Sequence, residues 1–561
     1  MARLGEAVRT TLAALRDTLA NDGIRRLELG WSLGIAADAA LSVVLLVIAY
    51  QRGGVVATGL LGASRMVPAV VVAMFTGALL QHVSGRALLL AIAVIRAAAA
   101  LVAVGLIVAD APLPWLFVLA AVVGAAGAPV VAVSATLMPA VARSPTELVA
   151  ANVAWGTGEG AGALAGSFLA GILIAGDESA LVAAAAAIAF ALTGVAVLGL
   201  RFEQVEDAAG GGRGSRSLRL RDGLAVLRRR AIVRWTMLAV YGQVLTRGVL
   251  NTLAVVAAIE LLGMGEGGVG LLNAALGLGG LFGAVLAMST VRTHRLVRAQ
   301  TAALAYWGAP IAVIGLWPVP AVGLAAMVVI GVANALFDVS IHTLLQRAST
   351  NAERAPVFSI LESSVGLGAL TGSLLGPVIV AAFGVRLGLA VTGTFLPILA
   401  LVVYGRLARL DKVTAVDESL VDLLREVEAF RALPMTAIER VAAGARPASF
   451  AAGSVLMREG EPGDQFVVIE DGEVEVSIGG HGVHRMGHGS GLGEIALVRR
   501  SARTATVTAL TPISCFCVDA PTFLAAVSGP AAGAQTERIA TAHLLRDEAM
   551  SSSAEATSVA G

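Results

Sequence analysis

The stretch GLGEIALVRRSARTATV (residues 491–507) brings together residue types that can hold a phosphorylated sugar. Gly493 and Glu494 stand side by side, and Arg503 follows the glutamate by nine positions. An arginine forms charge-assisted hydrogen bonds with phosphate oxygens, and a carboxylate accepts hydrogen bonds from hydroxyl groups. The run TATV that follows contains β-forming residues. The pattern predicts a pocket for a phosphorylated sugar.

Short β-strands separated by glycines surround this stretch. The segment VEVSI alternates as a strand does, and TATVTAL and ISCFCVD add further strands. Turns are predicted at Gly453, Gly460, Gly463 and Gly472. Residues 418–445 have helical spacing, and a closing helix is predicted over 533–548. Together these elements predict a β-roll with flanking helices.

Residues 425–548 resemble the cyclic nucleotide-binding domain of protein kinase regulatory subunits and bacterial catabolite activators. The family cassette reads F-G-E-[LI]-A-L, followed by P-R-[AT]-A-[TS]-V. Leu492 stands where the family has Phe, and Ala502 stands where it has Pro. The other cassette positions match, with the interval between glutamate and arginine preserved: Gly493, Glu494, Ile495, Ala496, Leu497, Arg503, Ala505, Thr506 and Val507.

The resemblance implies a role for each residue that faces the ligand. Arg503 would bond a phosphate oxygen, Glu494 would accept from the ribose 2′-hydroxyl, and Gly493 would let the backbone approach the ring. The implied nucleotide-binding set is Gly493, Glu494, Ile495, Ala496, Arg503, Thr504 and Ala505. A hydroxyl at Thr504 favours guanine in some relatives but is common in bacterial members, so cAMP is favoured over cGMP as regulatory ligand. A degenerate roll kept for contacts alone is the alternative.

The composition places this domain in an integral membrane protein. Of 561 residues 57% are hydrophobic and 14% are charged, and the mean hydropathy is +0.83. The net charge of +1 provides no field that would recruit nucleic acid. The two cysteines, Cys515 and Cys517, are predicted to share one face of a strand, and no metal site or resident cofactor is predicted.

Twelve windows are apolar enough to cross a bilayer, which requires about 20 residues each. The predicted spans, numbered 1 to 12, lie near 28–50, 54–80, 87–109, 114–138, 148–174, 179–200, 235–259, 267–290, 299–317, 319–345, 357–384 and 386–406. Loops after the even spans carry most of the arginines, which places both termini and the nucleotide-binding domain in the cytoplasm of a plasma-membrane protein. The predicted organisation is a cytoplasmic amphipathic N-terminus (1–27), a six-helix bundle (28–201), a basic linker (202–233), a second six-helix bundle (234–406), a linker (407–424), the nucleotide-binding domain (425–548) and a disordered tail (549–561).

An internal repeat indicates that the two bundles are duplicated halves. GAGALAGSFLAG (160–171) in span 5 and GLGALTGSLLGP (366–377) in span 11 are offset by 206 residues. Small residues at such spacing let helix backbones approach closely. The glycines assigned to helix packing are Gly162, Gly166, Gly171, Gly368, Gly372 and Gly376. Duplicated halves are typical of secondary transporters.

Residues 20–410 resemble the major facilitator superfamily, and GLLGASRMVPAVVVAMFTGALL and VIRAAAALVAV resemble its siderophore- and macrolide-exporter branch. The loop after span 2 keeps the family's Gly77 and Arg86, but Gln81 and His82 replace its Asp and Arg. In span 5, Ser167 replaces the proline of the family's antiporter motif. The first departure puts the charge relay of that loop in doubt, and the second weakens the preference for export.

Ionisable residues inside membrane spans are candidate transport residues because they are costly at bilayer depth. The candidates are Asp38, Arg65, Glu159, Arg247, Asp338, His342 and Glu362. The family resemblance places Asp38 and Arg247 in the central cavity. Glu159 is the predicted proton carrier. Fixed ion pairs that only hold helices together are the alternative for Asp38 and Glu159, and Arg96 is predicted to form such a pair. Asp338 and His342 are spaced to form a cytoplasmic gate, with a local capping network as the alternative.

These patterns favour a proton-coupled secondary transporter, an exporter of a small molecule, that is regulated by a cyclic nucleotide. The alternative is a membrane-anchored cyclic-nucleotide receptor or signalling scaffold without transport. A channel is disfavoured because the sequence has neither a T-V-G-Y-G filter nor an Arg-rich sensor helix. An enzyme is disfavoured because the soluble parts show no nucleophile–base set. The pattern leaves the substrate open.

Overall fold

The computed structural model describes residues 21–80, 82–141, 145–200, 225–290, 296–349, 351–414, 418–431, 433, 435–499 and 501–527. The chain divides into two compact units, Met1–Leu410 and Asp411–Gly561. The predicted closing helix (533–548), the tail (549–561) and most of the N-terminal segment and basic linker lie outside the described residues.

The described part of the first unit is helical. Its helices are α1 (Asp22–Leu79), α2 (Gly85–Val108), α3 (Leu113–Gly127), α4 (Val130–Val141), α5 (Pro145–Ala175), α6 (Ser179–Leu198), α7 (Ala231–Val256), α8 (Gly267–Thr290), α9 (Leu296–Leu316), α10 (Pro320–Ala348) and α11 (Asn351–Thr414). A π-helical turn, Ala257–Leu261, extends α7. Large apolar side chains such as Phe190, Trp307 and Phe337 fill the interior between the helices.

Ten helical segments among the described residues are long and apolar enough to cross a membrane. Two of them, Asp22–Ala73 and Pro356–Ala408, have 52 and 53 residues, more than twice the roughly 20 that one crossing needs. Each is broken at a glycine with positive φ: Gly54 at 62° in α1 and Gly384 at 69° in α11. Other residues rarely adopt this conformation. The two breaks divide these segments into two spans each, and twelve membrane-length spans result, as predicted.

The repeated glycines lie where helix backbones meet. In α5, a Cβ on Gly162 or Gly166 would overlap α1. In α11, a Cβ on Gly372 would overlap the carbonyl oxygen of Leu245 in α7, and one on Gly376 would lie 2.8 Å from Thr252. Span 5 therefore packs on span 1 as span 11 packs on span 7, which is the pairing expected of two duplicated halves.

The second unit is a β-roll with helices packed against it. Its elements are α12 (Glu418–Glu426), a 3₁₀ turn (Glu428–Phe430), α13 (Met435–Gly444), β1 (Arg446–Phe450), β2 (Val455–Met457), β3 (Gln465–Asp471), β4 (Val474–Ile478), β5 (His481–Met486), β6 (Gly491–Leu492), α14 (Glu494–Arg499), β7 (Thr506–Ala509), β8 (Ile513–Asp519) and α15 (Ala520–Val527). The strands form two four-stranded antiparallel sheets, in the orders β1-β8-β3-β6 and β2-β7-β4-β5.

Alternating side chains build the interior of the roll. Val467 lies opposite Cys517 on one side and Leu492 on the other, and both sheets supply apolar residues to one shared core. Cys515 is buried in this core and Cys517 packs against it, so the two cysteines share a strand face as predicted. A second cluster joins the helices to the sheet, where Phe466 stacks on Phe523 with ring centroids 4.6 Å apart.

Replacing Gly166 with Ala should lower the Tm of the full-length protein. The new methyl group would overlap the carbonyl oxygen of Ala36, and such overpacking costs about 1–3 kcal/mol. Gly156→Ala in the same helix is the matched control, because a Cβ there meets no atom within 4 Å and alanine stabilises a helix by roughly 0.5–1 kcal/mol over glycine. Thermal unfolding followed by tryptophan fluorescence should therefore shift in opposite directions. Equal stability of the two variants would contradict the close approach of α5 and α1.

Candidate functional site

The cassette 491–507 forms one continuous corner of the roll. Gly493 joins β6 to α14, and the chain then returns so that Arg503 precedes β7. The backbone N–H of Arg503 donates to the carbonyl of Glu461 at 2.8 Å, and Gly460 donates to the carbonyl of Arg503 at 2.9 Å. These two bonds fix the backbone of the arginine against the loop between β2 and β3.

The Arg503 guanidinium is buried and held by oxygens. Its side chain is 5% exposed; Nη2 donates to the carbonyl of Gln465 at 2.8 Å, and Nη1 donates to the carbonyl of Gly493 at 3.3 Å. Asp464 lies 3.5 Å away and completes an ion pair. Burial lowers the pKa of Arg503, while the negative charges of Asp464 and nearby glutamates oppose that shift. An arginine stays protonated in proteins, so the corner holds a fixed positive charge.

Gly493 is required beside this guanidinium for two reasons. Its φ of 92° lies in the region that side chains disfavour. A Cβ at this position would also overlap Nη1 of Arg503. The glycine therefore allows both the turn into α14 and the position of the arginine.

A cavity of about 280 Å³ opens in front of the cassette. Every residue predicted to bind the nucleotide lines it: Gly493, Glu494, Ile495, Ala496, Arg503, Thr504 and Ala505. Glu494, the first residue of α14, is 6% exposed. A buried carboxyl group and a buried guanidinium group thus line the same cavity.

Further residues of this cavity were missed by sequence reasoning. They are Met457, Val476, His484, Arg485, Met486, Gly487, Ser490, Gly491, Leu492 and Val507. The alternation of apolar and polar residues within VEVSI could have identified Val476, because it places the Val476 side chain on the interior face of the strand. Asp464 and Gln465, which hold Arg503, gave no such signal because they are 39 and 38 positions away from it.

The cavity has the donors, acceptors and walls that a cyclic nucleotide requires. The guanidinium can donate to a phosphate oxygen, a contact worth roughly 1.5–3 kcal/mol. The Glu494 carboxylate can accept from a ribose hydroxyl. Val476, Met486 and Leu492 provide apolar surface on which a base can lie.

The candidate transport residues form two groups within the first unit. In the first, both oxygens of the Asp38 carboxylate are used: Arg65 pairs with one and Arg96 with the other. Arg65 also donates to Ser42, and the Arg96 guanidinium lies 4.4 Å from the centroid of the Phe190 ring. Asp38 is therefore paired within the first half of the bundle, and Arg96 forms an ion pair as expected.

The second group lies between the two halves. Glu159 of α5 and Arg247 of α7 are exposed and interact electrostatically, and Asp338 of α10 interacts with both. Asn334 donates to the Asp338 carboxylate at 2.9 Å. His342 contacts the backbone carbonyl of Asp338 at 2.8 Å. This group of exposed charges thus draws on both halves of the bundle.

Glu362 of α11 is also exposed. The structure thus assigns Asp38 and Arg65 to one group and Glu159, Arg247, Asp338 and His342 to the other. The family resemblance had placed Asp38 and Arg247 together.

The halves meet at the end of the bundle that carries Arg52 and Arg386. The Tyr50 hydroxyl in α1 donates to Glu260 at the end of α7. A Cβ on Gly171 of α5 would lie 2.8 Å from the carbonyl oxygen of Gly267 in α8. The halves also meet farther along the same two helices, where a Cβ on Gly160 of α5 would lie 3.0 Å from Leu281 of α8.

Glu28 is a buried carboxyl group that sequence reasoning did not single out. The residue is 5% exposed, and neither carboxyl oxygen has a hydrogen-bond partner among the described residues. Gly158 of α5 lies beside it, since a Cβ there would be 3.6 Å from a carboxyl oxygen of Glu28. The position at the predicted edge of span 1 made Glu28 look like a boundary residue.

Comparison with known proteins matches both units to families. The model of the Major Facilitator Superfamily matches residues 29–323, which is more than half of the chain. The model of the cyclic nucleotide-binding domain matches residues 447–529.

Similar curated proteins share the C-terminal unit. A cAMP-dependent protein kinase regulatory subunit of Schizosaccharomyces pombe is 38% identical over 102 residues, which are 18% of this chain and 25% of that protein. A cyclic nucleotide-gated potassium channel of Rhizobium etli is 38% identical over 92 residues, which are 16% of this chain and 26% of that protein. The chain thus spans about a quarter of the length of these relatives.

The helical unit has a structural neighbour among solved transporters. A mutant of the nucleoside transporter NupG superposes with a TM-score of 0.56 and 13% identity, covering 68% of this chain and 99% of that one. At this identity the likeness shows the fold alone. With the family match over residues 29–323 and the twelve-span bundle, it follows that the chain belongs to the major facilitator superfamily, with a cyclic nucleotide-binding domain joined to its C-terminal side.

Proposed function

We propose that this protein is a proton-coupled secondary exporter of a small molecule whose transport cycle is regulated by a cyclic nucleotide. The observation that carries the proposal is that Glu494 and Arg503, both 6% exposed, line one cavity of a chain that also contains a transporter bundle. A roll kept for contacts alone would have no need to bury these two charges side by side. cAMP is the proposed ligand, ahead of cGMP.

Transport would proceed by alternating access of the two halves around the exposed charges that both halves contribute. Contacts such as Tyr50 to Glu260 hold the halves together at one end in the present conformation. Glu159 is the proposed proton carrier, because its carboxyl group is accessible and faces the charge of Arg247 from the other half. Asp338, His342 and Glu362 are proposed to tune access to that carboxyl group.

Regulation requires that the nucleotide bind one transport conformation better than another. The proposed domain boundaries place the linker 407–424 between the last span and the nucleotide-binding domain, and that linker is the proposed route of coupling. Both termini are proposed to lie in the cytoplasm of a plasma-membrane protein, where a cyclic nucleotide is produced and degraded.

The proposed role of Glu494 is tested by Glu494→Gln. The variant should lose most of its preference for cAMP over 2′-deoxy-cAMP, because the amide no longer supplies the charged acceptor for the ribose 2′-hydroxyl. Affinity for cAMP should fall about tenfold or more, while affinity for 2′-deoxy-cAMP changes little. Calorimetric titration of the full-length protein measures both constants. An unchanged ratio of the two affinities would remove Glu494 from the ribose site.

Gly493→Ala should weaken cAMP binding, because the new Cβ displaces Nη1 of Arg503 from its place. Gly453→Ala is the matched control: its φ of 81° imposes similar backbone strain, and a Cβ there meets no atom within 4 Å. The Gly493 variant should lose affinity about tenfold or more, and the Gly453 variant should bind like the parent protein. Equal affinities for cAMP in calorimetry would show that the position of the guanidinium does not depend on Gly493.

The transport proposal is tested in everted membrane vesicles, where the proposed cytoplasmic face is accessible. A pH-sensitive dye reports collapse of an imposed proton gradient while a panel of small organic cations, anions and neutral molecules is added. A substrate should collapse the gradient at a rate that changes with cAMP. Arg503→Ala should remove the cAMP effect and keep the basal rate.

Glu159→Gln should abolish substrate-driven proton movement with or without cAMP, and Glu266→Gln in a predicted loop is its control. Rates that are identical without nucleotide and at saturating cAMP and cGMP would contradict regulation. Proton movement that survives in Glu159→Gln would contradict the proposed carrier.

A further inference from the structure

A second cavity, of about 260 Å³, lies inside the first half of the bundle. It is lined by α1, α2, α3, α4 and α6, and its walls are mainly apolar, with Trp31, Ile92 and Phe190 among them. Asp38, Arg65 and Arg96 also line it. This charged group is separate from the nucleotide pocket, and it contains none of the charges that lie between the two halves.

The charged group is unbalanced. One carboxylate and two guanidinium groups give it a net charge of +1, and Asp38 is the sole acidic residue that lines the cavity within the described part of the chain. A charge held in apolar surroundings is costly unless it is paired. The single carboxylate neutralises one arginine, so one positive charge remains without a partner of opposite sign in this cavity.

Some guanidinium N–H groups of the two arginines have no hydrogen-bond acceptor among the described residues. Arg65 donates to Asp38 and Ser42, and Arg96 donates to Asp38. A guanidinium group has five N–H donors, so these bonds do not occupy all of them. The Nε atom of Arg96 is buried and has no hydrogen-bond partner among the described residues. The side chains of Arg65 and Arg96 remain 24% and 10% exposed, and Asp38 is 22% exposed, so the group reaches the cavity.

Two glycines of α3 lie beside the two arginine side chains. A Cβ on Gly127 would lie 3.4 Å from the guanidinium carbon of Arg96, and a Cβ on Gly124 would lie 2.8 Å from the side chain of Arg65. The Phe190 ring faces the Arg96 guanidinium from another direction. Gly124 thus leaves room for Arg65, and the Arg96 guanidinium lies between the Phe190 ring and the surface of α3.

We propose that this cavity binds an amphiphilic organic anion, with its carboxylate or other oxyanion group on Arg65 and Arg96 and its apolar part against the surrounding side chains. An oxyanion supplies the one negative charge that the site lacks and accepts from the free donors. The inference rests on the proposed transport function, since it names the chemical class of the molecule carried. A lipid headgroup and a free organic anion share this chemistry.

The test uses the full-length protein in nanodiscs and 8-bromooctanoate as the probe. Bromine quenches tryptophan fluorescence, and Trp31 lines the cavity, so quenching reports binding there. Trp31 stacks on Trp155 with ring centroids 3.9 Å apart, so replacing both tryptophans with Phe should remove most of the saturable quenching. The uncharged 8-bromooctanol is the matched probe and should bind about tenfold or more weakly, because it lacks the anion.

Variants that remove a positive charge and a variant that removes the negative charge should change binding in opposite directions. Arg65→Gln and Arg96→Gln should each weaken 8-bromooctanoate binding about tenfold or more, whereas Asp38→Asn should strengthen it because the competing carboxylate is lost. Arg52→Gln is the control, since Arg52 pairs with Asp110 outside this cavity. If Asp38→Asn does not fold, the two arginine variants still test whether the anion binds at this site. Equal affinity in the parent protein and both arginine variants, or equal affinity for the two probes, would overturn the proposal.

Neutral and anionic nanodiscs distinguish the two sources of the anion. A lipid headgroup as natural occupant predicts that phosphatidylglycerol discs suppress the quenching seen in phosphatidylcholine discs, and a free anion predicts that it persists. Binding is measured without transport, so a failed vesicle assay does not affect this result. A failed binding test leaves the proton-coupled exporter in place with another class of substrate.

Discussion

A charge removed from water must find partners inside the protein, and both units of this chain are organised by that constraint. In the roll, the Arg503 guanidinium is held by the carbonyl oxygens of Gln465 and Gly493 and by Asp464. In the bundle, Arg65 and Arg96 share the carboxylate of Asp38. In the roll, Gly493 leaves room for the cation, because a Cβ there would overlap Nη1 of Arg503.

The two sites satisfy the constraint to different degrees. Around Arg503 the chain supplies a carboxylate for pairing and a second carboxyl group, Glu494, at the same cavity. Around Asp38 the arginines outnumber the carboxylate. A nucleotide phosphate adds an anion to the first site, and an organic anion would balance the second. The same chemistry thus supports the proposed regulatory ligand in one unit and the proposed carried ligand in the other.

The glycine repeat connects this chemistry to movement. Spans 5 and 11 pack on spans 1 and 7 through backbone contacts at Gly166 and Gly372 rather than through interlocking long side chains. Such surfaces let helices approach closely within each half. Glu159 and Arg247 interact electrostatically from opposite halves, so the proposed movement of the halves would change that interaction.

Sequence reasoning was strongest where the relevant residues are close along the chain. The cassette around Gly493 and Glu494 is a local corner, and its resemblance to the family motif was enough to predict seven of the residues that line the cavity. The breaks at Gly54 and Gly384 lie at the ends of predicted spans 2 and 11, because hydropathy marks both sides of each break.

Contacts between distant segments were harder to predict. Arg503 donates to the carbonyl of Gln465, and Arg65 and Arg96 share the Asp38 carboxylate. These contacts depend on tertiary packing, which hydrophobic periodicity does not report. Glu28 was missed for the same reason, since its burial is created by α5.

The central claim is that filling the nucleotide cavity changes the conformation of the twelve-span bundle. Hydrogen exchange of the full-length protein in nanodiscs, followed by mass spectrometry with and without cAMP, tests it without knowledge of the substrate. The account predicts altered amide protection in α5, α7 and α10 as well as in the roll, and loss of every change in Arg503→Ala. Changes confined to residues 418–527, with the bundle unaffected at saturating cAMP, would contradict it.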